Sequence, residues 1–184
     1  MFGKSLYEGY FVDGKCHGQG RGISSKGELY QGNFVEDNME GFGFFYWPDG
    51  RIYEGEWILG KRHGKGRYFW TNGQVYEGEF KNDNCSGYGI LYYPDGKRFE
   101  GNWKDGNKHG RGVYVFPNGA LYSITYAEGK KIKQGELENG AVSTDKMRAE
   151  YQSLAKKSLL GKEFMKKYDM AGEGKDLMNL TSAW

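Results

Sequence analysis

Short runs in which apolar and polar residues alternate recur along most of this chain, at a fixed interval. Residues 53–57, Tyr-Glu-Gly-Glu-Trp, are one such run. Successive side chains of a strand point to opposite faces, so the tyrosine, glycine and tryptophan share one face and the glutamates take the other. The opening aromatic returns as Tyr7, Tyr30, Tyr53, Tyr76, Phe99 and Tyr122, a spacing of 23 residues without a slip. Counted from that aromatic, position 3 is Gly9, Gly32, Gly55, Gly78 and Gly101. Position 5 is Phe11, Phe34, Trp57, Phe80 and Trp103. Positions 12 and 14 are glycine in every full repeat, for example Gly64 and Gly66. A turn signal follows near position 20, at Asp49-Gly50, Asn72-Gly73, Asp95-Gly96 and Asn118-Gly119. Such dipeptides mark hairpins, and the alternating stretches between them read as strands.

Each repeat is therefore predicted to be a hairpin of two short strands, positions 1–5 and 13–18, around a loop at positions 6–11. Twelve antiparallel strands about 4.8 Å apart would make a sheet roughly 55 Å long. The expected fold is all-β: an elongated, curled antiparallel sheet of tandem 23-residue hairpins over residues 1–141. A short α-helical tail is expected over 142–184. The sixth unit, from Tyr122, is degraded, since Ile124 and Lys133 replace two of its glycines.

A symmetric hairpin sets position 5 opposite 12 and position 3 opposite 14. Aromatic then lies over glycine, a pairing that rescues a weak glycine in a strand. Repetition would give a trough with a glycine floor and walls from positions 1, 5 and 16, with space for a guest. Tyr53, Trp57, Tyr76, Phe80, Phe99 and Trp103 are the candidate partner-binding residues of that trough. On the other face Glu54 and Glu56 are expected opposite Arg67 and Lys65, each pair contributing roughly 0.2–1 kcal/mol. Even repeats differ there. Phe42, Phe44, Tyr88 and Ile90 hold the places of Gln19, Arg21, Lys65 and Arg67 in odd repeats. They read either as a contact patch, or as scattered exposure or a surface covered by the chain's own tail.

Composition narrows the classes. Among 184 residues there are 31 glycines and 17% aromatics but only 3 prolines, which points to a repeat architecture rather than collagen or a linker. A net charge of +2 gives no basic footprint for nucleic acid. Mean hydropathy is −0.81 and no apolar run is long enough to span a bilayer. The first residues form no apolar signal segment, so a cytoplasmic location is expected.

His17, His63 and His109 all fall at position 11, two repeats apart. Four strand spacings, about 19 Å, separate neighbours in that set, whereas zinc needs its ligands about 2 Å away. No intrachain metal site is expected. Cys16 and Cys85 stand three repeats apart, too far for a disulfide, and are expected to be free thiols. No serine or cysteine sits in a nucleophile setting, and no cofactor motif is complete, so no enzymatic activity is expected.

After Gly140 glycine thins out. Met147, Tyr151, Leu154 and Ala155 follow helical spacing. Lys156, Lys157, Lys162, Lys166 and Lys167 make this tail basic, with eight basic against six acidic residues from 141 onward. Two roles are open: cover for the last edge of the sheet, or contact with a partner or an anionic membrane.

The unit Tyr-Glu-Gly-Glu-Trp, then Gly-Lys-Arg-His-Gly-Lys-Gly, then Asn-Gly resembles the MORN (membrane occupation and recognition nexus) repeat, over residues 7–140. The resemblance implies a curled antiparallel sheet and a non-enzymatic scaffold that docks other proteins of a larger complex. Such proteins occur in cilia, radial spokes, parasite cytoskeletons and membrane junctions. It thus implies a cytoskeletal or ciliary assembly, with phosphoinositide or membrane association through the basic tail as the alternative. Open sheet ends also make a homodimer an expectation.

Overall fold

The computed structural model describes residues 6–139. Over them the chain forms one antiparallel sheet of twelve strands, paired in sequence order from β1 to β12. The strands are β1 (Leu6–Val12), β2 (Lys15–Ile23), β3 (Leu29–Val35), β4 (Asn38–Tyr46), β5 (Ile52–Ile58) and β6 (Lys61–Phe69). They continue as β7 (Val75–Lys81), β8 (Asn84–Tyr92), β9 (Arg98–Lys104), β10 (Asn107–Val115), β11 (Ala120–Ala127) and β12 (Lys130–Asn139). β1 and β12 do not pair, so the sheet is open. The described residues contain no helix. The expected boundary at 141 and the helical tail lie outside them.

The hairpin loop is tighter than expected. Two residues, not six, join the strands of each repeat, and both have positive φ: Asp13 49° and Gly14 75°, Leu59 48° and Gly60 75°, Asn82 48° and Asp83 72°. That geometry is the type I′ turn, whose twist matches the strands it joins. The turns near position 20 link one repeat to the next. In the second of them the Gly50 amide donates to Trp47 O at 2.8 Å and the Trp47 amide to Arg51 O at 3.0 Å.

The short turn changes the register. Gly55 faces Gly66, as expected for positions 3 and 14, but the next pair is Glu56 with His63. Gly64 and Lys65 bulge out of the ladder, with Gly64 at φ 58°. Every full repeat has this two-residue bulge, which is why position 12 is glycine: its backbone is left-handed there. The aromatic at position 5 therefore does not face the glycine of its own hairpin. Trp57 faces Gly41 of the preceding repeat, Phe80 faces Gly64 and Trp103 faces Gly87. Aromatic-over-glycine pairing locks neighbouring repeats together.

Two apolar layers result. On the first face Tyr30, Phe34, Phe45, Tyr53, Trp57, Tyr68, Tyr76, Phe80, Phe99 and Trp103 form one continuous buried cluster. On the second face a smaller cluster joins Ile52, Phe69, Val75 and Tyr92 along one margin of the sheet.

Candidate functional site

The glycine floor is occupied by the protein itself. Tyr53 lies over Gly55 and Gly66: a Cβ built on either glycine would come within 2.5 Å of its hydroxyl oxygen. The hydroxyl donates to Glu56 O at 3.0 Å, beside the bulge. Tyr30 and Tyr76 repeat the bond to Asn33 O and Glu79 O, each at 3.0 Å. Burial raises the pKa of all three phenols, so they remain donors. Rings from position 5 close the stack edge-on, with Tyr53 5.1 Å from Trp57 and 5.0 Å from Phe80. Tyr76 continues it, 5.1 Å from Trp103.

The six expected trough residues are therefore core. Tyr53, Tyr76 and Phe99 are 0% exposed, Trp57 and Phe80 3% and Trp103 9%. The small glycines leave a gap that the neighbouring tyrosine fills, and the expected space for a guest is closed.

A further row of the first face is more accessible. Trp47, Trp70, Tyr93 and Phe116, at position 18, are partly exposed. Between them, position 10 sends a side chain under the rings: Cys16, Met39, Arg62, Cys85 and Lys108. The Arg62 guanidinium lies 5.1–5.9 Å from the ring centres of Trp47, Tyr53, Tyr68 and Phe80. Its Nε is 3.2 Å from Asp83 Oδ1. Lys108 Nζ lies 4.6–6.0 Å from the centres of Tyr93, Phe99, Trp103, Tyr114 and Tyr126. Burial, reinforced by the charge of Lys97, pulls its pKa down to about 8. Cys16 and Cys85 are free thiols. Burial pushes Cys85 up to about 11 and raises Cys16, so neither is a ready nucleophile.

The second face carries the other predicted patch. Phe42 and Tyr88 are 54% and 51% exposed, at the same position of β4 and β8. Phe44 packs on Phe42 with ring centres 5.5 Å apart, and Ile90 is half-buried on the second-face cluster. A hollow of about 570 Å³ lies between Phe42 and Tyr88, lined by Glu54, Lys65, Arg67 and Glu77. A second, of about 690 Å³, opens on the far side of Tyr88 beside Glu100 and Arg111. The charges here pair across repeats. Arg67 faces Glu54 in its hairpin but binds Glu77 of the next repeat at 3.1 Å. Lys65 faces Glu79 rather than Glu56, a consequence of the bulge. The Glu56 carboxylate accepts instead from the Lys65 amide at 2.9 Å.

His17, His63 and His109 stay apart, opposite Tyr10, Glu56 and Asn102. No group of three His, Cys, Asp or Glu side chains that could hold a metal gathers among the described residues. Lys156, Lys157, Lys162, Lys166 and Lys167 lie outside those residues. Sequence reasoning missed the position-10 row and the position-18 rings. Both recur every 23 residues, but position 18 borders a turn and position 10 was assigned to a loop.

Comparison with known proteins gives one firm result. A family model described as MORN repeat matches residues 7–27, 30–50, 53–75, 76–98 and 99–121, more than half of the chain. The search of curated proteins found no match. Among solved structures, the chain is similar to the SAS-4 TCP domain of Drosophila melanogaster in complex with a proline-rich motif of Ana2. The identity is 16%, the TM-score 0.46, and 67% of each chain is covered. BamB from Moraxella catarrhalis matches at 12% identity and a TM-score of 0.23, over 68% of this chain and 60% of that one. Both scores are low, and the assignment rests on the family match.

Proposed function

This chain belongs to the MORN-repeat family, and from that premise we propose that its second face docks a segment of a protein partner. MORN repeats are modules for interaction with proteins or membranes, and the repeat is not an enzyme. One observation carries the choice of face. Phe42 and Tyr88 stand more than half exposed, four strands or about 19 Å apart, on a rigid ladder. In odd repeats the same column holds Gln19, Lys65 and Arg111. Two apolar anchors around a hollow rimmed with both charges suit a partner that brings apolar side chains and mixed charge. The protein then serves as a scaffold in a larger assembly. A cytoplasmic, cytoskeletal or ciliary setting is the part of this proposal that rests on the family resemblance.

The test is affinity capture from source-cell extract with the full chain and with Phe42→Ser/Tyr88→Ser. Both residues are exposed, so an unchanged melting temperature is expected. Partners lost from the variant would support this face. An identical partner set would sink it, and binding to anionic vesicles alone would favour the membrane alternative.

A second reading has its own observation. On β1, Tyr10, Phe11 and Val12 are 72%, 59% and 51% exposed, whereas Phe34, Trp57 and Phe80 are buried at the place of Phe11. An apolar open edge pairs readily with another chain. A homodimer through β1 would be lost in Phe11→Lys, read by light scattering. A monomeric wild type at micromolar concentration would end this reading.

A further inference from the structure

Two of the full repeats carry a cation at position 10, Arg62 and Lys108, and they differ in how its charge is met. Arg62 has a carboxylate in Asp83, at position 8 of the following repeat. The equivalent residue two repeats earlier is Asp37, which accepts from the Cys16 amide at 2.8 Å. The equivalent residue two repeats later is Gly129. The backbone there is the same. The amides of Asp37, Asp83 and Gly129 donate to the carbonyls of Cys16, Arg62 and Lys108 at 3.1, 3.0 and 3.0 Å. Their φ angles are 68°, 72° and 76°. The fold thus repeats beside Lys108 the backbone position from which Asp83 meets Arg62, and the residue there, like Gly60 beside Met39 and Gly106 beside Cys85, has no side chain.

Lys108 has no ion-pair partner among the described residues. Its ammonium donates to the Tyr93 and Tyr114 hydroxyls at 2.8 and 2.7 Å. An ammonium has three protons, so one is unassigned. The Tyr126 hydroxyl lies 3.2 Å from that of Tyr114. Five rings surround the nitrogen. Their faces attract a cation but supply no net charge, and a charge taken from water without a counter-charge is costly. Lys97, the cation whose charge bears on Lys108, is engaged by Asp95 at 2.9 Å. The cluster is therefore rich in donors, holds one uncompensated positive charge, and remains partly open to solvent.

We propose that this cage receives a single carboxylate, the side chain of a glutamate or aspartate in a protein partner that docks on the first face. One cation balances one carboxylate, whereas a phosphate dianion would leave excess negative charge among the rings. The free ammonium proton and the phenol hydroxyls donate to the carboxylate oxygens, and such charged hydrogen bonds are the strong kind. Tyr93 and Tyr114 flank the methylenes that carry it. The site lies on the opposite face from Phe42 and Tyr88 and stands or falls separately from them.

The test is carbon-13 NMR of the lysine Cε resonances in the full chain, titrated with N-acetylglutamate methylamide. Lys108→Met identifies the signal and keeps the fold, since Met39 occupies the same position in repeat two. Gly129→Asp supplies the carboxylate from within. A saturable shift of Lys108 is expected in the wild type, weakened roughly tenfold in Gly129→Asp. The glutamine analogue should give none. The proposal is overturned by any of three results. Lys108 could fail to shift up to about 100 mM, which would leave the site no stronger than a weak exposed ion pair. Gly129→Asp could bind as well as the wild type. Inorganic phosphate or anionic vesicles could shift Lys108 where the glutamate probe does not.

Discussion

Repeats three and five are built on one plan and closed in different ways. In repeat three Tyr53 covers the glycine floor and ties itself down through its hydroxyl, and Arg62 threads the rings to reach Asp83. In repeat five the covering ring is Phe99, which has no hydroxyl, and Lys108 ends among rings with Gly129 where an aspartate would stand. Ring positions and strand register match in the two repeats. The difference teaches that the repeat fixes where a side chain points, and two or three local residues decide whether its charge is spent within the fold or left for a partner.

The largest effect comes from the floor. Gly66→Ala would drive a methyl to within 2.5 Å of the Tyr53 hydroxyl oxygen and 2.7 Å of its ring, and that ring is hydrogen-bonded in place. Overpacking of this kind costs about 3 kcal/mol, the upper end of its range. Gly112→Ala brings a methyl equally close to Phe99, but no hydroxyl anchors that ring. A smaller loss of about 2 kcal/mol is expected there. Urea unfolding of both variants measures the difference, and equal losses would show that the tyrosine hydroxyl does not hold the ring.

Next comes the hydroxyl itself. Tyr53→Phe copies the repeat-five arrangement and removes a hydrogen bond to the Glu56 carbonyl, at a cost of about 1 kcal/mol. Phe99→Tyr runs the other way and should gain no more than that, by bonding the Asn102 carbonyl, which stands where Glu56 does in repeat three. If Tyr53→Phe is neutral in urea unfolding, water serves the carbonyl as well as the phenol does.

The two cations should then answer one substitution with opposite signs. Arg62→Met removes the partner of a half-exposed Asp83 and some ring contact, for a loss of about 1 kcal/mol. Lys108→Met removes a charge that the fold does not compensate and should stabilise at pH 7. Thermal melts of the pair decide it, and a destabilised Lys108→Met would mean that ring contact alone makes the lysine favourable.

Much of this fold was legible in the 23-residue period. The facing of Gly55 by Gly66, the number of strands and the two-faced alternation follow from spacing and pleat alone. The bulge did not follow, because alternation within residues 53–57 and 66–70 is the same whatever happens between them. A signal was present. Asp13-Gly14 and Asp105-Gly106 are type I′ dipeptides at positions 7 and 8, and reading them would have shortened the loop and moved position 10 onto a strand. The trough failed for a different reason. A bare glycine column reads as empty space, but a tyrosine two residues away can lie back over it, and sequence spacing does not record a rotamer. The cage around Lys108 draws on the turn after β8 and on β9 to β11, so no local window contains it.

The smallest effect is the most diagnostic of the two repeats. Lys108 titrates near pH 8 in the folded protein, below the ordinary value of 10.5. Below about pH 8 the amine is charged in both states and its full cost is present. Between about pH 8 and 9 the unfolded chain still holds a lysine proton that the folded chain has released, so stability rises with pH. From about pH 9 the unfolded Cys85 thiol loses a proton that the folded one, pushed up to about 11, keeps, and this offsets the rise. Above about pH 10 the sign reverses. Unfolded tyrosines then lose protons that Tyr114, pushed up to about 12, and the more deeply buried Tyr30, Tyr53 and Tyr76 keep. The rise should be on the order of 1 kcal/mol or less, discounted for the partial exposure of the amine. It should vanish in Lys108→Met and shrink in Gly129→Asp, whose carboxylate holds the proton on. Urea midpoints at steps between pH 7 and 10 trace it. A wild-type curve as flat as that of Gly129→Asp would mean that a carboxylate already meets Lys108 in the folded chain, and repeat five would then be closed in the manner of repeat three.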